Sequence, residues 1–182
     1  MPSRLLRLLS CAVLALAGCG WAPPQRPGLA ATGDAGMLAR SAGVLTALSG
    51  LAAAERAALA WDDRARLARI VGGPMMSGYM VHDWTYAFVS GKRPREMVVL
   101  QYGEQGMSTR VALRDPELEA LADRPRIDSD QAAAVAVRQG MTPGRFDVIR
   151  LDQVNPQRRA TWTLDAPEGT FRLDARTGLF LP

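Results

Sequence analysis

The sequence predicts an α+β protein made of two tandem small modules, each with a helix packed on an antiparallel sheet. Three observations favour this fold class. Apolar residues at helical spacing open each half, short runs of alternating apolar and polar residues follow, and Gly- and Pro-containing turns separate those runs. With 182 residues, 48% of them hydrophobic and 22% charged, the chain is long enough for modules at residues 37–122 and 123–182.

The first 18 residues are typical of a secretory leader rather than of the fold. Arg4 and Arg7 precede an apolar run at residues 8–17, which is too short to span a bilayer. Leu16-Ala17-Gly18-Cys19 follows and resembles the lipobox of bacterial lipoproteins. We therefore predict a signal peptide at residues 1–18 and lipidation of Cys19, with palmitate among the attached acyl chains.

The residue after Cys19 indicates in which membrane the protein is expected. An aspartate at that place is the usual signal for retention in the inner membrane, whereas this chain has Gly20. The protein is therefore expected in the cell envelope, anchored to a membrane by its N-terminal lipid. In a double-membraned bacterium, the periplasmic face of the outer membrane is the expected site.

Cysteine content and charge exclude several function classes. Cys11 leaves with the signal peptide and Cys19 carries the lipid, so thiol catalysis, disulfides and Cys-zinc sites are excluded. The net charge is only +4, and two of the arginines lie in the leader. Because nucleic-acid binders concentrate basic residues on one face, no nucleic-acid partner is expected.

Residues 19–36 are rich in Pro, Gly and Ala and are expected to be a flexible tether with a reach of roughly 20–25 Å. A helix is predicted over residues 37–60, since Leu38, Leu45, Leu48 and Ala52 recur at three-, four- and seven-residue steps. A second helix is predicted over residues 62–71, capped by Asp62 or Asp63 and ended by Gly72-Gly73-Pro74.

Strands are predicted next, at residues 83–89, 97–102 and 108–113. The first places Trp84, Tyr86 and Phe88 on one face. Turns at residues 90–96 and 103–106 separate the strands. The charged stretch at residues 114–128 contains two prolines and is expected to be a connector.

The order of elements then repeats. Ser129 or Asp128 is expected to cap a helix over residues 130–140, and strands follow at residues 146–154, 160–165, 170–175 and 179–182. Alternation places Trp162, Leu164, Phe171 and Leu173 in the core and Arg172 and Asp174 outside. The repeated order predicts an approximate internal duplication, with Trp84 and Trp162 in comparable places but not on the same strand.

The second half resembles the PepSY family. The similarity lies in Ser129-Asp130-Gln131-Ala132-Ala133 at the helix start, the W-x-L strand at Trp162, and the closing stretch FRLDARTGLF. The first half looks like a diverged copy. The resemblance implies a helix on an antiparallel sheet, a role in inhibition, chaperoning or protein binding, and no catalytic residues. The stretch GGPMMSGYMVHDWTY is faintly similar to outer-membrane assembly lipoproteins of the BamE type.

No catalytic or metal-binding constellation is expected. The single histidine, His82, would need a nucleophile such as Ser77 or Ser90 together with an oxyanion hole, and no Gly-x-Ser-x-Gly motif is present. Asp128 and Asp130 are better explained as helix-capping residues than as metal ligands. Met75, Met76 and Met80 fit a core edge better than an adaptable contact surface. We therefore predict a protein that is not an enzyme and that needs no cofactor.

The predicted function is non-enzymatic binding of a protein or peptide partner in the cell envelope. An extended partner segment is expected to contact the exposed sheet face or an edge strand, with Arg172 as the outward binding residue. Inhibition of an envelope peptidase, outer-membrane assembly, and transport of a lipid or small ligand remain open alternatives. Lys92, Arg93 and Arg95 at a hairpin tip are more readily explained as a solvated turn than as a contact to phospholipid headgroups.

Overall fold

A computed structural model describes residues 45–73, 83–103, 105–153 and 159–181. The leader, Cys19, the tether, His82 and the three clustered methionines lie outside these ranges. The described residues belong to one compact unit, residues 34–182. Its elements are α1 (Leu51–Trp61), β1 (Arg66–Gly72), β2 (Asp83–Val89), β3 (Glu96–Gly103), β4 (Gly106–Leu113), α2 (Ser129–Arg138), β5 (Val148–Asp152), β6 (Thr161–Ala166), β7 (Gly169–Asp174) and β8 (Phe180–Leu181).

All eight described strands form one antiparallel sheet in the order β4-β3-β2-β1-β5-β6-β7-β8. Each half supplies one helix and four strands, and the α+β class is as predicted. The halves meet at the centre of the sheet, where β1 pairs with β5 through Ile70 and Leu151. The predicted boundary between residues 122 and 123 falls in the connector from β4 to α2.

The helix predicted over residues 62–71 is wrong, because this segment forms strand β1. Leu67–Val71 carries an apolar residue at nearly every position, a composition that suits a strand paired on both sides as well as a helix. Pairing with β2 and with β5 decides between the two. Gly72 lies under the indole of Trp84, where a Cβ atom would come within 2.8 Å of the ring.

Helix α1 is shorter than the segment predicted for it. It begins at Leu51, after a turn at residues 47–50, whereas the prediction began at residue 37. Gly50 allows the close approach of this turn to the sheet, since a Cβ there would be 2.4 Å from a ring carbon of Tyr102. The buried residues of α1 are Leu51, Ala54 and Ala58.

Helix α2 begins as predicted, with Asp128 as its N-cap. The backbone N–H of Asp128 donates to the side chain of Gln131 at 3.0 Å, and the Asp128 carboxylate accepts in return from the first turn, which completes a capping box. The helix ends before Gly140, which has a φ of 104°. Ala132 and Ala136 face the sheet and are fully buried.

The main core lies between the helices and one face of the sheet. Trp84, Tyr86 and Phe88 of β2 and Trp162 and Leu164 of β6 are buried there, as the alternation predicted. Trp84 lies in β2 and Trp162 in β6, each the second strand of its half. The expectation that the two tryptophans do not occupy corresponding strands was therefore wrong.

Each of these two tryptophans hydrogen-bonds to the segment ahead of its own helix. Trp84 Nε1–H donates to the carbonyl oxygen of Leu45, and Trp162 Nε1–H donates to that of Ile127, both at 2.8 Å. The indoles thus fill the core and satisfy their polar atoms at the same time.

Candidate functional site

Neither described helix packs on the second face of the sheet, and the outward residues of the strands lie there. On the N-terminal half the connector covers part of this face, with Leu118 buried against Ala68, Ala87 and Val89. On the C-terminal half the outward residues of β5, β6 and β7 are mostly polar, and the polar ones form the candidate site.

Three residues lie side by side on this polar surface. Arg150 of β5 is opposite Thr163 of β6, and Thr163 is opposite Arg172 of β7. Residues paired in this way project from the same face of an antiparallel sheet. Thr163 is only 5% exposed because the two arginines flank it. We call Arg150, Thr163 and Arg172 the arginine row.

The two arginines of the row differ in their electrostatic surroundings. Arg150 lies 3.3 Å from Asp165 and 3.9 Å from Asp152, so two carboxylates balance its charge. Asp152 is buried and also lies 3.5 Å from Arg69. Arg172 is exposed, and within the described residues its guanidinium makes no ion pair or hydrogen bond. Arg172 is therefore the cation of the row that is available to a ligand.

Asp174 does not point into solvent as predicted. It is buried, and its carboxylate accepts hydrogen bonds from the N–H groups of Arg176 and Thr177 and from the Thr177 hydroxyl, at 2.8–3.0 Å. Burial raises the pKa of this carboxyl, but the hydrogen bonds outweigh burial, so its pKa lies below the ordinary value of 3.8. Asp174 holds the turn after β7 rather than contributing to the binding surface.

The basic hairpin tip between β2 and β3 is partly neutralised within the protein. Lys92 forms an ion pair with Asp63, and its hydrogen bond to that carboxylate raises the pKa of Lys92. The guanidinium of Arg93 lies 5.3 Å from the centre of the Trp61 ring and 3.1 Å from Glu96. Two of the three cations thus have partners in the chain, which suits a structural turn better than a headgroup site.

Of the two serines named as possible nucleophiles, Ser90 lies inside the described ranges, and it is not placed for that role. Ser90 is buried, and its hydroxyl oxygen accepts a hydrogen bond from the backbone N–H of Lys92 at 3.1 Å. Within residues 45–73, 83–103, 105–153 and 159–181, no three His, Cys, Asp or Glu side chains come together as a metal site would require.

Sequence reasoning selected Arg172 but missed its neighbours Arg150 and Thr163. The signal was available in the strands VIRLD and TWTLD, where Arg150 and Thr163 alternate with apolar neighbours. The pattern does not give the register between neighbouring strands. It therefore does not indicate which outward residues of different strands lie side by side.

No family model matches the chain, and no curated protein matches it either. The fold is similar to the crystal structure of a "putative lipoprotein (CD1622)" from Clostridium difficile 630, with a TM-score of 0.55 and 11% sequence identity. The similarity covers 80% of this chain and 95% of that one. At this identity the likeness shows a shared α+β fold. Neither helix in the described ranges has the length and hydropathy needed to cross a membrane.

Proposed function

We propose that this chain is a lipid-anchored protein of the bacterial cell envelope that binds an extended segment of another envelope protein without catalysis. The observation that carries the proposal is the arginine row, a polar strip on the helix-free face of the sheet. Arg150 is held by carboxylates, whereas Arg172 has no ion-pair partner among the described residues. An acidic or carboxy-terminal group on the partner is the chemistry that an unpaired guanidinium recognises best.

The architecture suits binding by a fixed surface. Arg172 lies in a strand paired on both sides, with Thr163 and with Leu181, so its backbone is held in place by the sheet. Preorganisation of this kind lowers the entropy that a binding partner must offset. The resemblance of the second half to PepSY domains supports the same class of function, and inhibition of an envelope peptidase is the specific form it would take if the partner were a protease.

The proposed anchor is Cys19, at the periplasmic face of the outer membrane in a double-membraned cell. The lipobox supports it, and so does the fold shared with the "putative lipoprotein (CD1622)". Replacing Cys19→Ser should abolish labelling by a fatty-acid probe, while Cys11→Ser should leave labelling unchanged. Persistent labelling of the Cys19 variant would contradict the anchor.

The binding surface can be tested by site-specific photo-crosslinking in the native membrane. A photoreactive amino acid at Thr170, which is exposed on β7 two residues before Arg172 and on the same face, should capture a discrete partner. The same amino acid at Arg138, an exposed arginine on α2, is the matched control because it lies on the helix side of the sheet. Equal capture from both positions, or capture from position 138 alone, would exclude the arginine row as the binding surface.

Substitutions that change the charge at position 172 then test whether the partner recognises the guanidinium. Arg172→Glu should lower capture by an adjacent probe at Thr170 at least tenfold, and Arg172→Lys should retain part of it, since lysine keeps the charge but loses the planar fork. Unchanged capture by Arg172→Glu would show that the partner does not recognise this cation.

We further propose that the two halves are diverged copies of one unit. Each half has a helix followed by four strands, and in each the second strand carries a tryptophan hydrogen-bonded to the segment ahead of the helix. This parallel supports the predicted duplication.

A further inference from the structure

Strand β4 is a long open edge of the sheet. It pairs with β3 over all eight of its residues, without a bulge, and no described strand pairs with its other side. The opposite edge of the sheet differs, since β8 has only two residues and Pro182 follows it. A short strand and a proline are the usual means of protecting an edge from unwanted pairing, and β4 has neither.

Most side chains of β4 are exposed, yet few of them are charged. Arg110 is its single charged residue, and Val111 and Leu113 are 54% and 83% exposed. Val111 is opposite the buried Val98, so it lies on the face that carries the main core. An additional strand at this edge would extend that apolar face and cover Val111.

The sequence of β4 is complementary to itself. In an antiparallel pair of two copies about a two-fold axis at Thr109, each Met107 is opposite Val111 and each Arg110 is opposite Ser108. Thr109 is opposite its own copy, a favourable Thr–Thr pair. Like charges are never directly opposed, and same-face residues meet along the whole strand.

We propose that β4 pairs with β4 of a second copy of this chain, about a two-fold axis at Thr109, so that the two sheets become continuous. The pairing satisfies the outward N–H and C=O groups of both edges and shields Val111 and Met107 of each copy. The inference does not depend on the proposed function, because β4 and the strand that carries Arg172 lie towards opposite ends of the sheet.

The test is the oligomeric state of the full chain in detergent, measured by sedimentation with the detergent density matched. The wild-type protein should be a dimer. Thr109→Lys opposes two like charges on the axis and should give a monomer that keeps the far-ultraviolet circular dichroism of the wild type, because Thr109 is exposed in the single chain. Thr109→Val keeps the β-branched shape and should remain a dimer. A wild-type monomer, or a dimer that survives Thr109→Lys, would overturn the proposal.

Disulfide trapping tests the register independently. Thr109→Cys should form a covalent dimer on oxidation, since directly opposed residues lie within disulfide range. Co-expressed Met107→Cys and Val111→Cys chains should link to each other. Gln131→Cys, exposed on α2, and the parental chain measure background links, including those through Cys11 and Cys19. Linkage of Thr109→Cys no stronger than these controls would exclude the two-fold pairing.

Discussion

The indole of Trp162 is fully buried and still donates its N–H, to the carbonyl oxygen of Ile127. Trp162→Ala should therefore lower the free energy of unfolding by about 3–5 kcal/mol, as for other large aromatic truncations in cores. Trp162→Phe keeps much of the ring but loses the hydrogen bond, so its loss should be smaller. Denaturant unfolding measures both, and an unchanged stability of the alanine variant would place Trp162 outside the core.

Gly72 and Gly73 are adjacent, but only Gly72 is closely packed against other side chains. A Cβ atom at Gly72 would lie 2.8 Å from the Trp84 ring and 2.9 Å from Ile149, whereas nothing lies within 4 Å of one at Gly73. Gly72→Ala should cost about 1–3 kcal/mol through overpacking. Gly73→Ala is the matched control and should be neutral or slightly stabilising. The close contact at Gly72 would be disproved if thermal melts showed equal effects.

Asp174 gives stability a defined dependence on pH. Its pKa is lower in the folded protein than in the unfolded chain, so its contribution is complete above the unfolded pKa near 3.8 and is lost as pH falls through the folded value. Asp174→Asn should destabilise the protein at neutral pH, and the difference from wild type should shrink on acidification. Asp147→Asn, at an exposed site, controls for the loss of one negative charge. A pH-independent difference would contradict this assignment.

At the scale of elements, the start of α2 joins the two halves. Asp128 Oδ1 accepts from the N–H of Leu48 at 3.0 Å as well as from Ser129, so one carboxylate caps the helix and binds the segment ahead of α1. Asp128→Ala should cost about 1–2 kcal/mol or more, beyond an ordinary cap. Asp130→Ala, in the same first turn, should cost less. Chemical denaturation of both variants provides the comparison.

The elements that sequence predicts well are those with a strong local signal. Strand β2 matches its predicted range, residues 83–89, because Trp84, Tyr86 and Phe88 alternate with smaller residues. The start of α2 was predictable because capping is a local interaction. The identity of β1 was not, since its apolar residues fit a strand and a helix alike, and pairing with β2 and with the distant β5 selects the strand.

The candidate site, too, was predictable from sequence only where the signal is local. Alternation alone indicates that Arg172 faces outward. The burial of Asp174 depends on hydrogen bonds within one turn, and the neighbours of Arg172 depend on register across three strands. Sequence periodicity contains neither kind of information.

At the scale of the whole molecule, the continuous sheet predicts one cooperative unit. The β1–β5 pairing and the shared core mean that neither half can unfold without exposing the other. Amide exchange followed through denaturation should therefore give the same midpoint for β2 and for β6. Two separate midpoints would show that the halves are energetically independent modules.

The segment ahead of α1 also determines how the protein responds to force. Leu45 accepts from Trp84, Ala47 accepts from the Tyr86 hydroxyl, and the N–H of Ala47 donates to Ser129 Oγ at 3.0 Å. A pull on the chain before Leu45 therefore loads strand β2 and helix α2 together, instead of peeling away one end. The domain can withstand tension applied ahead of Leu45 because the load divides between both halves before any strand of the sheet must separate.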